Sequence, residues 1–440
     1  MMSDLKNSVN SWFVLRLNFQ LKVFVFLCLV FLQVTLMLIL SFYSLKSNNS
    51  IIKNRILNEW EYTFNQAPLE RYTLCFSSQI QSAENGDLST IGNALMNYVA
   101  FPGEPCQALR DFSSSSNSME KPTGDYSKQW VGTNIISRLL LNFINLSSLQ
   151  YLVFAGFIVS VLLLYDFFSR EFGKLIGTLF IFFTLLYFDV PTWISNISYS
   201  MLFSVCFMAS FFVKKIYNSH NSYVFYSTIF FIGMWLNFFD LFLTSAFLTM
   251  MIVAFPTFLQ SLKKTLPFVQ NTRIVIYFLT SILSGYVFTW LIKWVLTYIF
   301  GDKTAVLSSV KGTLISRTSR NSFIEGVEAD WFSIVYNTFK YLQSRPMDGN
   351  LFIILIVLNF ILIIYFTLTN PKKFFNQSPF YIFTLLPFAF FYLLANWSSI
   401  HTFISYRALV FSLIFVSALN LLYYKTEKPK LFNKPYKNLP

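Results

Sequence analysis

The feature that most constrains this chain is a series of long apolar runs separated by short polar segments. Of the 440 residues, 55% are hydrophobic and only 12% are charged. This composition excludes an ordinary soluble domain and predicts an all-α polytopic membrane protein, with one integral membrane domain over 1–440. About ten transmembrane helices are expected, at 23–43, 149–168, 175–188, 199–213, 223–239, 241–259, 274–300, 351–369, 379–394 and 408–424.

The distribution of Lys and Arg orients these helices. With the N-terminus inside, the short inner segments carry basic residues, whereas the short outer segments "DVPTWISNIS" and "NFFD" carry none. Positive residues concentrate on the cytoplasmic side of membrane proteins. We therefore expect a membrane protein with both termini in the cytoplasm and two large extracytoplasmic loops, 44–148 and 301–350. The net charge of +13 then reflects topology and not nucleic-acid binding.

The inner segments are too short to hold a nucleotide-binding domain, and no Walker A or G-x-G-x-x-G pattern occurs in the sequence. Any chemistry is therefore expected on the outer face. Cys75 and Cys106 share the first outer loop, where they either form a disulfide in an oxidising compartment or remain free thiols. The chain has two His and no Cys/His cluster, so no structural zinc site is indicated.

The stretch "DYSKQWVGTNIISRLLLNF" ends the first outer loop. Its apolar residues recur at helical spacing, which predicts a helix lying in the membrane interface, with Tyr126 and Trp130 at headgroup depth. One interpretation of this stretch is a membrane-anchoring collar. The other is a site for a lipid phosphate, in which Asp125 acts as a base and Lys128 and Arg138 bind the phosphate.

The second outer loop carries a pair of arginines. Arg317 and Arg320 stand three residues apart, so on a helix they would share a face. They either bind phosphate or belong to a solvated basic loop, and the pattern leaves both interpretations open. Further along, "DWFSIVYNTFKYL" has apolar residues at helical spacing, which predicts another interfacial helix.

Ionisable residues also lie within or next to the apolar runs. Asp240 follows two aromatic residues in "NFFDLF", and Lys293 lies within "FTWLIKWVL". His401 and Arg407 flank the start of the last run. Charges at such depths are costly and are usually functional. For Lys293 the alternative is that its ammonium group reaches the interface by snorkelling along its apolar stem.

Several short motifs recur here in an order known from one class of membrane enzymes. "YSKQWVG" followed by "RLLLNF", then "NFFD" and "HTFISYR", is similar to the pattern in multi-span proteins of bacterial surface-glycan loci. The chain thereby resembles glycosyltransferases of the GT-C superfold. Its two large outer loops also resemble those of enzymes that glucosylate O-antigen lipopolysaccharide and convert serotype. It departs from the motif pattern at Lys128, Gln129 and Val131, and has Asn93 where an acidic residue is expected.

The resemblance implies that the donor is a polyprenyl-phosphate-linked sugar, drawn from the membrane lipid phase, and that the acceptor is a surface glycan such as O-antigen. Such a reaction needs a carboxylate base, with Asp125 and Asp240 as the main candidates and Glu59 and Glu61 as weaker ones. It also needs cations at the leaving phosphate. The candidate cations are Arg138, Arg317, Arg320 and Arg407, with Lys128 and His401 in support. Some relatives use a divalent metal, Mg or Mn.

Other functions fit the same sequence. A flippase or transporter for a lipid-linked glycan would use the basic outer residues to hold a pyrophosphate. A glycan polymerase would also use a large outer loop with paired arginines. A non-catalytic assembly partner would tolerate replacement of all of these charged residues.

Overall fold

The computed structural model describes residues 2–47, 49–59, 90–96, 98–99, 124–125, 130–175, 177–178, 181, 197–217, 222–239, 244–318, 330–344, 348–393 and 402–427. Within these ranges the chain is helical almost throughout. The helices of the first part are α1 (Met2–Leu45), α2 (Asn49–Leu57), α3 (Thr90–Met96), α4 (Gly132–Leu140), α5 (Leu146–Phe172), α6 (Ile197–Tyr217) and α7 (Ser222–Phe239).

The second part continues the helical architecture. Its helices are α8 (Thr244–Lys263), α9 (Phe268–Phe300), α10 (Lys303–Thr318), α11 (Trp331–Gln343), α12 (Asp348–Thr369), α13 (Pro371–Phe383), α14 (Leu386–Leu393) and α15 (Thr402–Glu427). The described strands are β1 (Tyr98–Val99) and β2 (Gly124–Asp125), which pair antiparallel with Tyr98 opposite Asp125.

Among the described helices, six contain segments long and apolar enough to cross a membrane. They are Phe19–Leu45, Leu146–Arg170, Ser200–Tyr217, Ser222–Phe239, Phe268–Phe300 and Phe352–Thr369. Each coincides with a predicted span, which confirms the prediction of a helical membrane protein.

The other four predicted spans stay predictions. The run at 241–259 falls on α8, which contains Pro256 in its interior. The run at 379–394 falls on the two short helices α13 and α14. The run at 408–424 falls on α15, and most of 175–188 lies outside the described residues.

Large apolar side chains remain exposed along the candidate spans. Phe31 on α1 is 74% exposed and Leu368 on α12 is 77% exposed, and both helices carry several such residues. A soluble protein rarely exposes apolar surface of this extent. In a bilayer the same surface lies against lipid tails, while the helices satisfy their own backbone hydrogen bonds.

Helices α7 and α9 cross with their backbones in contact. A Cβ atom at Gly233 would collide with the carbonyl oxygen of Ile282, and one at Gly285 would collide with the carbonyl oxygen of Phe230. Small residues permit such close approach between membrane helices. This crossing fixes the position of α9, the helix that carries Lys293.

One face of α9 is buried along its C-terminal half. Gly285, Thr289, Lys293 and Thr297 follow each other at four-residue spacing, and all are buried. The hydroxyl groups of Thr289 and Thr297 donate to the carbonyl oxygens of Gly285 and Lys293, at 2.9 and 2.7 Å. The helix is 33 residues long and so measures about 50 Å. Its two ends therefore lie on opposite sides of the bundle.

A buried polar cluster links α12, α13 and α15, and we call it the asparagine network. Asn359 Nδ2 donates to Ser417 Oγ at 2.7 Å, and Asn420 Nδ2 donates to Asn359 Oδ1 at 2.7 Å. The hydroxyl of Tyr381 donates to Asn420 Oδ1 at 2.8 Å. These neutral groups satisfy one another inside an apolar environment, as buried polar groups must.

Candidate functional site

Lys293 is fully buried near the C-terminal end of α9. Its Nζ donates a hydrogen bond to the carbonyl oxygen of Leu95 on α3 and lies 4.9 Å from the centroid of the Trp130 ring. The indole Nε1 of Trp130 donates to the carbonyl oxygen of Thr289, 3.1 Å away on α9. We call these four residues the Lys293 cluster. The ammonium group is thus held inside the protein by a carbonyl dipole and an aromatic face, and it does not snorkel to the surface.

Close packing brings the segment between α1 and α5 onto the end of α9. The Sδ of Met96, in α3, lies 3.2 Å from where a Cβ of Gly301 would stand, just after α9. The ring of Trp130 packs against Phe238 of α7, with centroids 5.9 Å apart. A Cβ at Gly132 would lie 2.6 Å from the carbonyl oxygen of Phe238, so only glycine fits where α4 begins.

The backbone is strained at this point. Val131, between Trp130 and Gly132, adopts the left-handed conformation with φ of 54°. This conformation is an outlier for a β-branched residue and costs about 1–3 kcal/mol. Such strain persists only where the surrounding structure enforces it, and it clusters at functional sites.

Arg138 is buried on α4. Its Nε donates to the carbonyl oxygen of Ser44, 2.9 Å away at the C-terminal end of α1. The negative end of a helix dipole stabilises a cation placed there. Burial lowers the pKa of Arg138 to about 10, so the guanidinium is still charged near neutral pH. Arg138, a predicted phosphate-binding residue, therefore also caps the C-terminal end of α1.

The polar face of α4 points into the protein. Thr133, Asn134, Ser137 and Arg138 are all buried, whereas Phe143 just beyond the helix is exposed. We expected a helix lying on the membrane with Trp130 at headgroup depth. The structure buries the Trp130 ring, because the indole has a hydrogen-bond partner on α9 and a ring partner on α7. A helix is present at Gly132–Leu140, and its depth in the membrane stays a prediction.

Glu59 holds the beginning of α5. Its carboxylate accepts hydrogen bonds from the backbone N–H and the hydroxyl of Ser147, at 2.6 and 2.8 Å. A carboxylate at this position satisfies an orphan N–H and interacts favourably with the helix dipole. Nearby, Arg55 Nη1 donates to the carbonyl oxygens of Leu141 and Ile144, at 2.9 and 3.0 Å. The presence of Glu59, one of the weaker base candidates, is thus explained by its role in capping the start of α5.

Described residues close in sequence or in strand pairing to the two main base candidates lie near the Lys293 cluster. Tyr98 follows Leu95 by three residues, which places their Cα atoms within about 11 Å. Asp125 pairs with Tyr98 across the strands, at a Cα separation of about 5 Å. The described part of α7 ends at Phe239, the residue before Asp240, and Phe238 packs on Trp130. The side chain of Asp125 and all of Asp240 lie outside the described residues.

Two buried amides next to this site lack partners among the described residues. Neither Oδ1 nor Nδ2 of Asn237 has a hydrogen-bond partner, although Asn237 directly precedes Phe238 in α7. The Nδ2 atom of Asn134, two residues into α4 from Gly132, is likewise unpartnered. Buried polar atoms are nearly always satisfied in native proteins, so each exception requires an explanation. These amides are suited to bind a polar ligand or water.

Two further carboxylates act as helix caps. Asp302 accepts from the hydroxyl of Thr304 at 2.7 Å, and this bond holds the pKa of Asp302 below its usual value. Asp330 accepts from the N–H groups of Phe332 and Ser333 at the start of α11, and its pKa is lowered chiefly by a bond from the Ser333 hydroxyl. Both carboxylates stay ionised, and both accept hydrogen bonds from the first residues of a helix.

An apolar groove of about 240 Å³ lies between α11, α12, α14 and α15. Phe339, Phe352 and Phe388 line it, and Asn359 of the asparagine network lies at its wall. Phe360, which also lines the groove, is exposed on the apolar surface of α12. The groove is therefore suited to a hydrocarbon chain.

The other predicted site residues are only partly described. Arg317 lies in α10 and Arg407 in α15, but their side chains lie outside the described residues. Cys28 is exposed and Cys206 is buried, and both are free thiols. The residues that lie entirely outside the described ranges are Glu61, Cys75, Cys106, Tyr126, Lys128, Arg320 and His401.

The role of Arg55 and the contacts of Lys293 were not anticipated from the sequence. For Lys293 a signal existed, because Gly285, Thr289, Lys293 and Thr297 recur every four residues and so share one face of α9. A lipid-facing stripe would not carry these residue types. For Arg55 no local pattern indicates the carbonyl groups that it binds, which lie 86 and 89 residues further along the chain.

No group of three His, Cys, Asp or Glu side chains that could hold a metal is present among the described residues. Comparison of the chain with known protein families, curated proteins and solved structures finds no match.

Proposed function

We propose that this protein is an integral membrane glycosyltransferase of the GT-C type, in a bacterial inner membrane, and that it moves a sugar from a polyprenyl-phosphate carrier to a surface glycan such as O-antigen. The observation that carries the proposal is Lys293, a fully buried cation held by Leu95 and Trp130 from the segment between α1 and α5. We assign this end of the bundle to the outer face.

The burial of Lys293 favours a functional role over a structural one. Placing a charge among apolar helices is costly, and a hydrophobic side chain of similar size usually serves stability as well or better. The retention of a cation at such a site is best explained by an anionic ligand that binds to it during the reaction. In this proposal that anion is the phosphate of a lipid-linked donor.

In the proposed reaction an acceptor hydroxyl attacks the anomeric carbon of the sugar. The bond from the anomeric carbon to the phosphate oxygen breaks, and polyprenyl phosphate leaves with the bonding electrons. The hydroxyl proton passes to a carboxylate, for which Asp125 and Asp240 are the candidates. Lys293 and Arg138 stabilise the charge that develops on the leaving phosphate. No metal is assigned a role.

Two further features support a lipid-linked donor. The apolar groove next to the asparagine network offers a path for an isoprenoid chain. The unpartnered amides of Asn134 and Asn237 offer donors and acceptors of the kind that bind sugar hydroxyls.

A flippase for a lipid-linked glycan is the second candidate function. It is favoured by the buried polar stripe of α9, which runs from Gly285 to Thr297 inside the bundle. A glycan polymerase, the third candidate, would use the basic residues of the outer loops, including the paired arginines.

The test is the mass and linkage of the surface-glycan repeat in cells with and without the gene. A single sugar gained with the gene supports glycosyl transfer and identifies the donor. An unchanged repeat with altered chain length would replace the proposal by a polymerase. An unchanged repeat with lipid-linked precursor accumulating in the deletion strain would replace it by a flippase.

A further inference from the structure

A polar cavity of about 230 Å³ lies at the opposite end of α9 from Lys293, between the α8–α9 turn and the start of α13. This volume far exceeds the roughly 10–15 Å³ that one water needs. Apart from Leu266, the described residues that line it are polar, and they include two lysines and no carboxylate. The polar lining residues are Thr265, Asn370, Lys372, Lys373, Asn376 and Gln377.

The cavity has the electrostatics of an anion site. Helix α13 begins at Pro371, and its N-terminus carries a partial positive charge. Lys372 and Lys373 lie in its first turn, and Lys373 Nζ lies 4.8 Å from the centroid of the Tyr423 ring, which limits where it can move. The Oδ1 of Asn370 accepts from the N–H of Lys373 at 3.3 Å, so the end of the helix is ordered.

Gln377 provides an independent sign of a ligand. Its side chain is 1% exposed and lines the cavity, yet its Oε1 has no hydrogen-bond partner among the described residues. Rotation of the terminal amide exchanges Oε1 and Nε2, so the same side chain can also present a donor to the cavity. A buried amide without a partner beside a roomy polar cavity indicates a polar group that binds there.

The surroundings place this cavity at the membrane boundary. One candidate span ends at Thr369 and another begins at Phe268, and both borders adjoin the cavity. The rings of Phe268 and Phe375 stack with centroids 4.6 Å apart. Phe375 is 59% exposed, so an apolar surface lies next to the basic one. This combination matches a phospholipid, whose phosphate and acyl chains need a cation and an apolar neighbour.

We propose that this cavity binds the headgroup phosphate of an anionic phospholipid, at the end of the bundle that its lysines assign to the cytoplasm. The inference does not depend on the proposed glycosyl transfer. The lipid phosphate accepts hydrogen bonds from Lys372, Lys373 and the amide of Gln377. The bound lipid connects the α8–α9 turn to α13, two elements that already meet through Asn376 Oδ1 and the N–H of Phe268 at 3.1 Å.

The experiment is native mass spectrometry of the full-length protein in mild detergent, titrated with phosphatidylglycerol, phosphatidylcholine or inorganic phosphate. We expect phosphatidylglycerol to bind in preference to phosphatidylcholine. Lys372→Gln/Lys373→Gln should weaken phosphatidylglycerol binding about 30-fold, the effect expected for two lysines at a membrane surface. Gln377→Leu, which changes no charge, should weaken it about fivefold.

The matched control is Lys214→Gln/Lys215→Gln, which neutralises another lysine pair, near the C-terminal end of α6. This variant should bind within about twofold of the wild type. Equal binding by the Lys372→Gln/Lys373→Gln variant would overturn the proposal, and so would an equal loss in the control. Binding of inorganic phosphate without binding of phosphatidylglycerol would also overturn it, because the site would then serve a soluble anion.

Discussion

The asparagine network and the Lys293 cluster are both buried among apolar helices, but they are built differently. In the network, neutral side chains from α12, α13 and α15 bind one another. In the Lys293 cluster, a cation of α9 is held by a backbone carbonyl and an aromatic ring from a distant segment. The network is explained as a means of joining three helices. The cluster is costly to build, and the proposed phosphate-binding role of Lys293 accounts for that cost.

This difference predicts opposite results from similar substitutions. Removing a member of the network should lower stability and leave activity largely intact. Removing the charge of Lys293 should abolish activity and leave stability largely intact. The following variants test that contrast, beginning with the largest expected effect.

Lys293→Met should reduce sugar transfer at least about 100-fold, because a cation that stabilises developing charge typically contributes a factor of 100 to 1,000. The melting temperature should stay within a few degrees of the wild-type value, since Met fills a similar volume and no charge then remains buried. Transfer is measured with purified protein in nanodiscs, and melting by fluorescence-detected gel filtration. A Lys293→Met variant that fails to fold would contradict the prediction that this residue serves activity and not stability.

Trp130→Ala should destabilise the protein by about 3–5 kcal/mol, because it removes the largest side chain of the cluster and leaves a cavity. Trp130→Phe should cost only about 1 kcal/mol, since it keeps an aromatic face for Lys293 and loses the bond to the Thr289 carbonyl. Chemical denaturation of both variants measures the difference. Similar losses for Ala and Phe would show that the hydrogen bond, and not the ring, holds this site.

Asn420→Leu should destabilise the protein by about 1–3 kcal/mol, because Tyr381 and Asn359 each lose a buried partner. Sugar transfer by the folded protein should remain within about threefold of the wild type, since the network lies outside the Lys293 cluster. Thermal unfolding and the transfer assay are run on the same preparation. Loss of transfer at unchanged stability would show that the asparagine network takes part in the reaction. The two buried sites would then no longer differ in role.

Glu59→Gln should have the smallest effect, about 1 kcal/mol of stability, because the amide oxygen can still accept from Ser147. Transfer should persist, since the carboxylate of Glu59 is bound to the start of α5. The comparison variant is Asp125→Asn, for which the proposed base role predicts loss of transfer. The two variants are assayed side by side, and an inactive Glu59→Gln beside an active Asp125→Asn would exchange their roles.

The membrane class and six of the candidate spans could be predicted from hydropathy, because a helix in lipid must be long and apolar. The partners of charged residues could not. The residues around Lys293 in the sequence do not indicate that it binds a carbonyl group of α3. Those around Arg138 do not indicate that it binds a carbonyl group at the end of α1. Helical periodicity told us which residues of α4 share a face, but the surface that this face covers depends on residues 94 positions away.

The two ends of α9 sharpen the same lesson. At one end the lysine is buried and its partners come from elsewhere in the chain, so only the structure reveals its setting. At the other end Lys372 is exposed in the first turn of α13. The orientation of the protein was predicted from such charges in the sequence alone. The cavity beside it became visible only when the α8–α9 turn and α13 were placed together.

The most direct test of the central claim is the release of polyprenyl phosphate by purified wild-type and Lys293→Met protein, with donor and acceptor present. The account predicts that the wild type releases polyprenyl phosphate with one glycosylated acceptor for each carrier, and that the folded Lys293→Met variant releases almost none. Release at the wild-type rate by the variant would contradict the account, because the buried cation would then have no part in the reaction.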